Sequence, residues 1–361
     1  GPPLVSGVLT PPHLPLLVRT VALAFAIASP WAGAAESFVH FAGETVPAAV
    51  RAEGANPQIE KFLAQASGPS GLWERIRLGF AIPDVDRKAV AQQTAWYAAR
   101  PELVQSIALR ARRYLHFIVD EVERRGMPTE LALLPFVESG FNPMALSSAQ
   151  ASGLWQFIPE TGAKYNLAQN TLHDGRRDVI ASTGAALDYL QFLHKYNNGD
   201  WQLALASYNW GESAVARAVE RNRARGLSGS YDSLSMPEET RNYVPRLLAI
   251  KNIIMDPAAF GLQLPEIPNE PVFGVVRVKD DLDLRLAAQL AGIPYEEFLT
   301  LNPAFNSKHA PGATGAGLVI PLEKSEAFKV NLERHRETMA RQAGSRSAPK
   351  KTPKAALVTR F

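Results

Sequence analysis

Apolar residues recur at helical spacing through most of the first two thirds of the chain. Between Pro101 and Arg125, Leu103, Ile107, Ala108, Ala111, Leu115, Ile118 and Val119 fall three and four residues apart, which predicts one long helix closed by Gly126 and Pro128. An apolar cluster of Leu72, Trp73, Ile76, Leu78 and Phe80 precedes it. Further helices are predicted over 129–139, about 182–196, about 201–209, 212–224 and 237–254. The last of these has Ser235 and Glu238 in capping-box register, with Pro237 in the first turn. Hardly any stretch before residue 265 alternates as a strand does, so residues 72–264 read as a mainly helical globule.

The pattern then changes. Pro265, Pro268 and Pro271 mark a linker over 265–271. Beyond it come an apolar stretch (Val272–Val278), a helix (Leu284–Ala291), a second helix through Glu297 and Leu301, and the short apolar run Leu318–Pro321. That order, strand, helix, helix, strand, predicts a small appended α+β module over 272–323. From Lys324 charge dominates, and Ser345–Lys354 (SRSAPKKTPK) is basic and of low complexity, so 324–361 reads as a disordered basic tail. At the other end, residues 36–71 are rich in Ala, Gly and Pro with weak periodicity and read as a loosely structured lead-in. Residues 1–35 resemble a secretory signal: Arg19, the apolar run Val21–Ile27, then Ser29, Pro30 and the small residues Ala32, Gly33 and Ala34. The apolar run falls short of the ~20 residues a spanning helix needs. An exported protein of the cell envelope or periplasm, cleaved after Ala34, is the expectation.

Composition narrows the chemistry. With 361 residues and 46% hydrophobic content the chain can build one large core or two smaller ones. Its 38 Lys and Arg against 35 Asp and Glu give a net charge of +3, a weak lean toward an anionic partner such as cell wall or membrane. The absence of cysteine excludes thiol nucleophiles, disulfides and a cysteine lipid anchor. The seven histidines show no HExxH spacing, and neither a metal nor a cofactor is expected. Nucleic-acid binding would rest on the basic tail alone, and none is expected.

The chemically informative segment is ELALLPFVESGFNPMALSSAQASGLWQFIPETG, residues 130–162. Leu131, Leu134 and Glu138 share one helical face, so the carboxylate points with apolar side chains. Pro135 deletes a helical hydrogen bond and predicts a kink, and Glu138 lies in the last turn, at the negative end of the helix dipole. Partial burial and the dipole both hold the carboxyl protonated near neutral pH, as a general acid requires. The residues alone leave open a plainer role, a cap or an ion pair with Arg124 or Arg125. Asp174 and Asp178, in HisAspGlyArgArgAsp, read as turn and helix-capping residues rather than as a second catalytic carboxylate.

GluSer at 138–139, Phe141, Pro143, Ala145, Ser147, Ala151, Gly153, Leu154 and Gln156 resemble the first two motifs of the lysozyme-like lytic transglycosylases. Ala206–Gly211 (ASYNWG) and Glu239–Val244 (ETRNYV) follow in the family's order. LWERIRLGF at 72–80 and RRGMPTELALLPFVES at 124–139 are similar to the membrane-bound lytic murein transglycosylase D group. The resemblance implies a mainly α fold, with a lysozyme-like helical domain followed by a small module. It also implies peptidoglycan glycan strands as substrate, and cleavage by a single acid/base, Glu138, with formation of a 1,6-anhydro end. By the same resemblance Ser147 and Gln156 contact glycan or orient Glu138, Tyr208 and Asn209 line the cleft, and Tyr243 hydrogen-bonds Glu138. Plainer roles stay open: Tyr208 as core, Asn209 and Gly211 as a helix stop, Ser147 as a turn residue. Many relatives have Gly where this chain has Gln150. The module resembles a degenerate LysM through Leu284, Ala287, Ala288, Gly292, Ile293, Phe298, Leu301, Asn302 and Pro303, although Val278–Leu282 lacks the usual Gly-Asp-Thr.

Overall fold

The computed structural model describes residues 38–41, 44–47, 71–310 and 317–347. The predicted signal sequence and the last part of the predicted tail lie outside the described residues. The chain divides into two units, Gly1–Ser67 and Gly68–Phe361. In the first, the described part is an antiparallel hairpin of β1 (Phe38–Phe41) and β2 (Glu44–Pro47), with Phe38 opposite Pro47.

The second unit opens with α1 (Leu72–Leu78), α2 (Arg87–Ala98), α3 (Pro101–Ala111) and α4 (Leu115–Arg124). The single long helix predicted over 101–125 is therefore two. Its buried residues (Val104, Ile107, Ala108 and Ala111, then Leu115, Ile118, Val119 and Val122) keep helical spacing across the break, so periodicity does not reveal it. Tyr114, buried at the break, donates its hydroxyl to the Thr300 carbonyl at 3.1 Å. The predicted helix 129–139 also divides, into a 3-10 turn (Thr129–Leu133) and α5 (Leu134–Glu138). Pro135 falls in the first turn of α5, where its missing N–H has no helical partner to lose, so the expected kink becomes a junction. The turn is pinned by Glu130, fully buried, whose carboxylate accepts from the N–H groups of Ala81 and Ile82 at 2.9–3.0 Å.

After the short α6 (Pro159–Lys164) come α7 (Val179–Tyr196), α8 (Trp201–Trp210), α9 (Glu212–Ala224) and α10 (Glu238–Met255). Asp178 caps α7 as its setting predicts, accepting from Ile180 N and Ala181 N at 2.9 Å. The Ser235–Glu238 capping box does not form: Pro237 is the extended residue before α10 and no side chain caps that end. A Ser235 cap would require Met236 to be helical directly before a proline, a conformation the proline ring disfavours. Helix α10 packs against α2 and α8 and buries Tyr243, Val244, Leu247, Leu248, Ile250, Ile253 and Ile254. Pro245 inside it cannot donate to the Arg241 carbonyl. The Tyr231 hydroxyl lies 2.9 Å from that carbonyl and 2.6 Å from that of Thr240, satisfying the site by another route.

A second apolar cluster belongs to the C-terminal module. Strands β3 (Phe273–Arg277) and β6 (Gly317–Pro321) pair antiparallel, as do the short β4 (Leu282–Asp283) and β5 (His309–Ala310), around α11 (Leu284–Ala291) and α12 (Tyr295–Leu301). Asn302 staples α12 to β6: Nδ2 donates to Phe298 O and Val319 O, and Oδ1 accepts from Val319 N at 2.8 Å. The tail predicted from residue 324 is corrected by α13 (Leu322–Ser347). Phe328 and Leu332 are buried in the module core at a spacing of four, a stripe too narrow to stand out against so many charges. The 265–271 linker is a strap rather than a free tether, since Ile267 is buried, its carbonyl accepts from Leu72 N at 2.9 Å and Pro265 O accepts from Trp73 Nε1 at 2.8 Å.

Candidate active site

Helix α5 ends on Glu138, and the chain turns back at once. Phe141 N and Ser139 N both donate to Pro135 O, and the Ser139 hydroxyl reaches Leu154 O at 2.9 Å. The loop that follows is backbone-strained: Phe141, Gln150 and Gln156 have φ of 55°, 61° and 50° without being glycine. It is fixed at several points. Trp155, fully buried, donates Nε1 to Thr183 on α7 at 3.0 Å, and Tyr208 on α8 donates its hydroxyl to Trp155 O at 2.8 Å.

A cleft of about 510 Å³ lies over this loop, lined by Glu138, Ser147, Gln156, Tyr208 and Asn209 together with Tyr189, Trp210 and Glu239. Larger hollows elsewhere on the surface contain neither Glu138 nor the loop. Five of the six residues singled out from the sequence thus share one cleft. The sixth, Tyr243, is buried behind Glu138 and donates its hydroxyl to Glu138 Oε1. Ser147 Oγ accepts from Ala151 N at 3.0 Å, and Gln156 Nε2 donates to Gly153 O at 2.8 Å and Ala145 O at 3.2 Å. These two side chains therefore hold the loop as well as line the cleft. Asn209 is set by Thr240, whose hydroxyl donates to its Oδ1 at 2.8 Å, and its Nδ2 lies 3.4 Å from Glu239 Oε1.

Burial pushes the Glu138 carboxyl up to about 7; the Tyr243 bond pulls it down, Glu239 pushes it up and Arg246 pulls it down by smaller amounts. At neutral pH the group is poised between acid and base. Burial also raises Glu130, but its carboxylate is occupied by backbone N–H groups and does not line the cleft. The Asp174 carboxylate, despite burial, is held below the usual range by Arg176, which it grips through Nε (3.0 Å) and Nη2 (2.8 Å). Asp174 is thus a structural anion here, as its sequence setting predicts.

The sequence reading passed over Glu239, although a signal existed: Glu239, Tyr243 and Arg246 recur at spacings of four and three on one face of α10. Tyr189 and Trp210 carry no such signal, because their place in the cleft depends on how α7 and α8 pack. Gln150 presents a test of strain. A Gln at φ 61° costs about 1 kcal/mol that glycine would not. Gln150→Gly should therefore hold or raise stability, by up to about 1 kcal/mol in denaturant titration, the greater freedom of unfolded glycine offsetting part of the gain. A loss above 1 kcal/mol would show that the Gln150 side chain supports the turn.

The transglycosylase SLT domain family model matches residues 116–228, and that of the lytic transglycosylase MltD LysM-like domain matches residues 272–337. The chain is 37% identical over 287 residues to membrane-bound lytic murein transglycosylase D of Escherichia coli (strain K12), across 76% of this chain and 63% of that protein. It thus spans about 63% of the length of that relative. It is 40% identical over 172 residues to a protein of Alteromonas sp. (strain M-1) named for tributyltin chloride resistance, across 47% of this chain and 80% of that one. Membrane-bound lytic murein transglycosylase C of Glaesserella parasuis is 28% identical over 148 residues, 37% of this chain and 40% of its own.

Proposed function

Because the chain belongs to the transglycosylase SLT-domain family and carries the MltD type of LysM-like domain, we propose that it cleaves the β-1,4 bond between N-acetylmuramic acid and N-acetylglucosamine in peptidoglycan. Glu138 is its acid and base. The observation that carries this reading is one carboxyl at the cleft surface, with its proton affinity near neutrality and its Oε1 bonded by Tyr243.

With Oε1 engaged, the acidic proton resides on Oε2 and passes to the glycosidic oxygen as the C–O bond breaks. Positive charge develops at the muramic acid anomeric carbon, steadied by the substrate's own acetamido group. The Glu138 carboxylate then takes the proton of the C6 hydroxyl, which closes on that carbon and leaves a 1,6-anhydro end. The proton given in the first step is recovered in the second, so no water is consumed. Ser147, Gln156 and Tyr208 keep the loop and cleft in shape, and Asn209 presents an amide to the sugar. The reading places the enzyme in the cell envelope with its substrate. Among the described residues no helix is long and apolar enough to cross a membrane.

Digestion of purified sacculi followed by mass spectrometry should give anhydro-muropeptides. Reducing-end muramic acid would instead assign a hydrolase, with Glu239 the cleft carboxylate placed to activate water. The pH profile supplies a second check. The first step needs protonated Glu138, so kcat/KM should fall as pH rises through about 7. Tyr243→Phe removes the bond that lowers this carboxyl and should move the falling limb to higher pH. A limb that stays in place or moves down would detach Tyr243 from the titration of Glu138.

A further inference from the structure

The loop from Gln169 to Arg177 bonds both to the segment that follows Glu138 and to the LysM-like domain. On its outer side it pairs with the LysM-like domain. Asp174 N donates to Ala304 O and Asn306 N to Leu172 O, each at 2.8 Å, and the His173 and Phe305 rings meet 5.5 Å apart. Asn306 adds its side chain: Nδ2 donates to Asn170 O at 3.2 Å, and Oδ1 accepts from Arg177 Nη2. On its inner side the loop grips the catalytic segment. Arg176, 8% exposed, donates Nη1 to Gln150 O at 2.7 Å and to Phe157 O at 3.3 Å. Arg177 spans the two sides, with Nη1 at 3.8 Å from Met144 Sδ and a buried Nε that has no hydrogen-bond partner among the described residues and lies 3.9 Å from Asp174 Oδ2.

The segment so gripped is the strained one. Non-glycine residues at positive φ persist only where their surroundings over-determine them. Here Arg176 holds the carbonyl of one of them, Gln150, and that of Phe157, directly after the other, Gln156. The support of Arg176 is Asp174, whose backbone is in turn bonded to the LysM-like domain. A continuous set of hydrogen bonds therefore runs from Ala304 through Asp174 and Arg176 to Phe157 in the wall of the Glu138 cleft, while Asn306 holds the same loop at Leu172, Asn170 and Arg177.

We propose that the LysM-like domain is a positioning element of the catalytic site, with Asn306 acting through the 169–177 loop on the 147–157 segment. Its docking sets turnover, and not glycan affinity alone. The kinetic part of this inference rests on the proposed activity; the structural part does not.

The test uses the full chain, with Asn306→Ala and with Asn306→Asp, which keeps an acceptor for Arg177. Steady-state kinetics on a purified soluble glycan fragment are combined with amide hydrogen exchange across residues 147–157. Asn306→Ala should lower kcat about tenfold with KM unchanged and speed exchange in 147–157, whereas Asn306→Asp, which keeps the bond to Arg177 but loses the one to Asn170 O, should show smaller changes in both. Unchanged kcat, a loss confined to KM, or exchange raised uniformly across the whole unit would overturn the proposal. If the wild-type chain releases no product from sacculi, the proposed activity fails, while local exchange in Asn306→Ala still decides whether the domain braces the loop.

Discussion

Glu138→Gln should remove turnover by roughly 10²-fold or more, the usual contribution of a positioned general acid, while the chain folds normally. An amide can accept the Tyr243 hydrogen bond but has no acidic proton to give. The same substitution should raise stability above neutral pH. Below pH 4.5 folded and unfolded chains both carry the proton; between 4.5 and about 7 the unfolded chain loses it first. The folded chain then binds more protons, and stability falls as pH rises until the folded carboxyl has ionised. That penalty is about 3 kcal/mol at pH 8 and nearly absent at pH 4, and the amide escapes it. Melting curves of the two proteins should therefore coincide near pH 4 and separate by pH 8, the variant melting higher. Near-normal turnover by the variant would refute the assignment of Glu138, and a constant melting difference at all pH values would refute the account of its proton.

Gly153→Ala should be the most damaging small substitution near the site. A Cβ there would lie 1.9 Å from the Arg176 carbonyl oxygen, a backbone atom, at a φ of 86° that L-residues rarely adopt. Steric displacement and dihedral strain together cost roughly 3 kcal/mol or more. Relief requires the 153 turn and the Arg176 turn to move apart, which breaks the bonds from Arg176 to Gln150 O and Phe157 O. Activity should fall by at least about tenfold even at temperatures where the variant remains folded. Equilibrium unfolding and kinetics on sacculi measure the two effects separately. A loss under 1 kcal/mol with full activity would mean that the two turns are not rigidly apposed.

Helix positions followed from apolar spacing wherever one face was broad, as in α8, α9 and α11. Breaks that preserve the spacing did not show, as at Arg112–Tyr114, and neither did a helix whose buried face is a thin stripe in a charged background, as in α13. The capping residues were readable when the bond is local, as for Asp178. The Ser235 reading failed because a neighbouring proline excluded the conformation it needs.

The segment around Glu138 shows the same division. Apolar spacing around Glu138, together with motif resemblance, was enough to point to that carboxyl and to the residues that share its cleft, since the side chains concerned sit in short, ordered stretches. Its proton affinity is raised first by burial among packed elements, then lowered by Tyr243 and raised by Glu239, which arrive from α10 about a hundred residues later in the chain. The bond between Asn306 and Arg177 on the 169–177 loop joins residues 129 apart in the sequence. Local spacing encodes which face of a helix is buried and where it can begin. Distances between side chains on different elements are set by packing, and those distances give Glu138 its proton near neutral pH and hold the strained loop beside it.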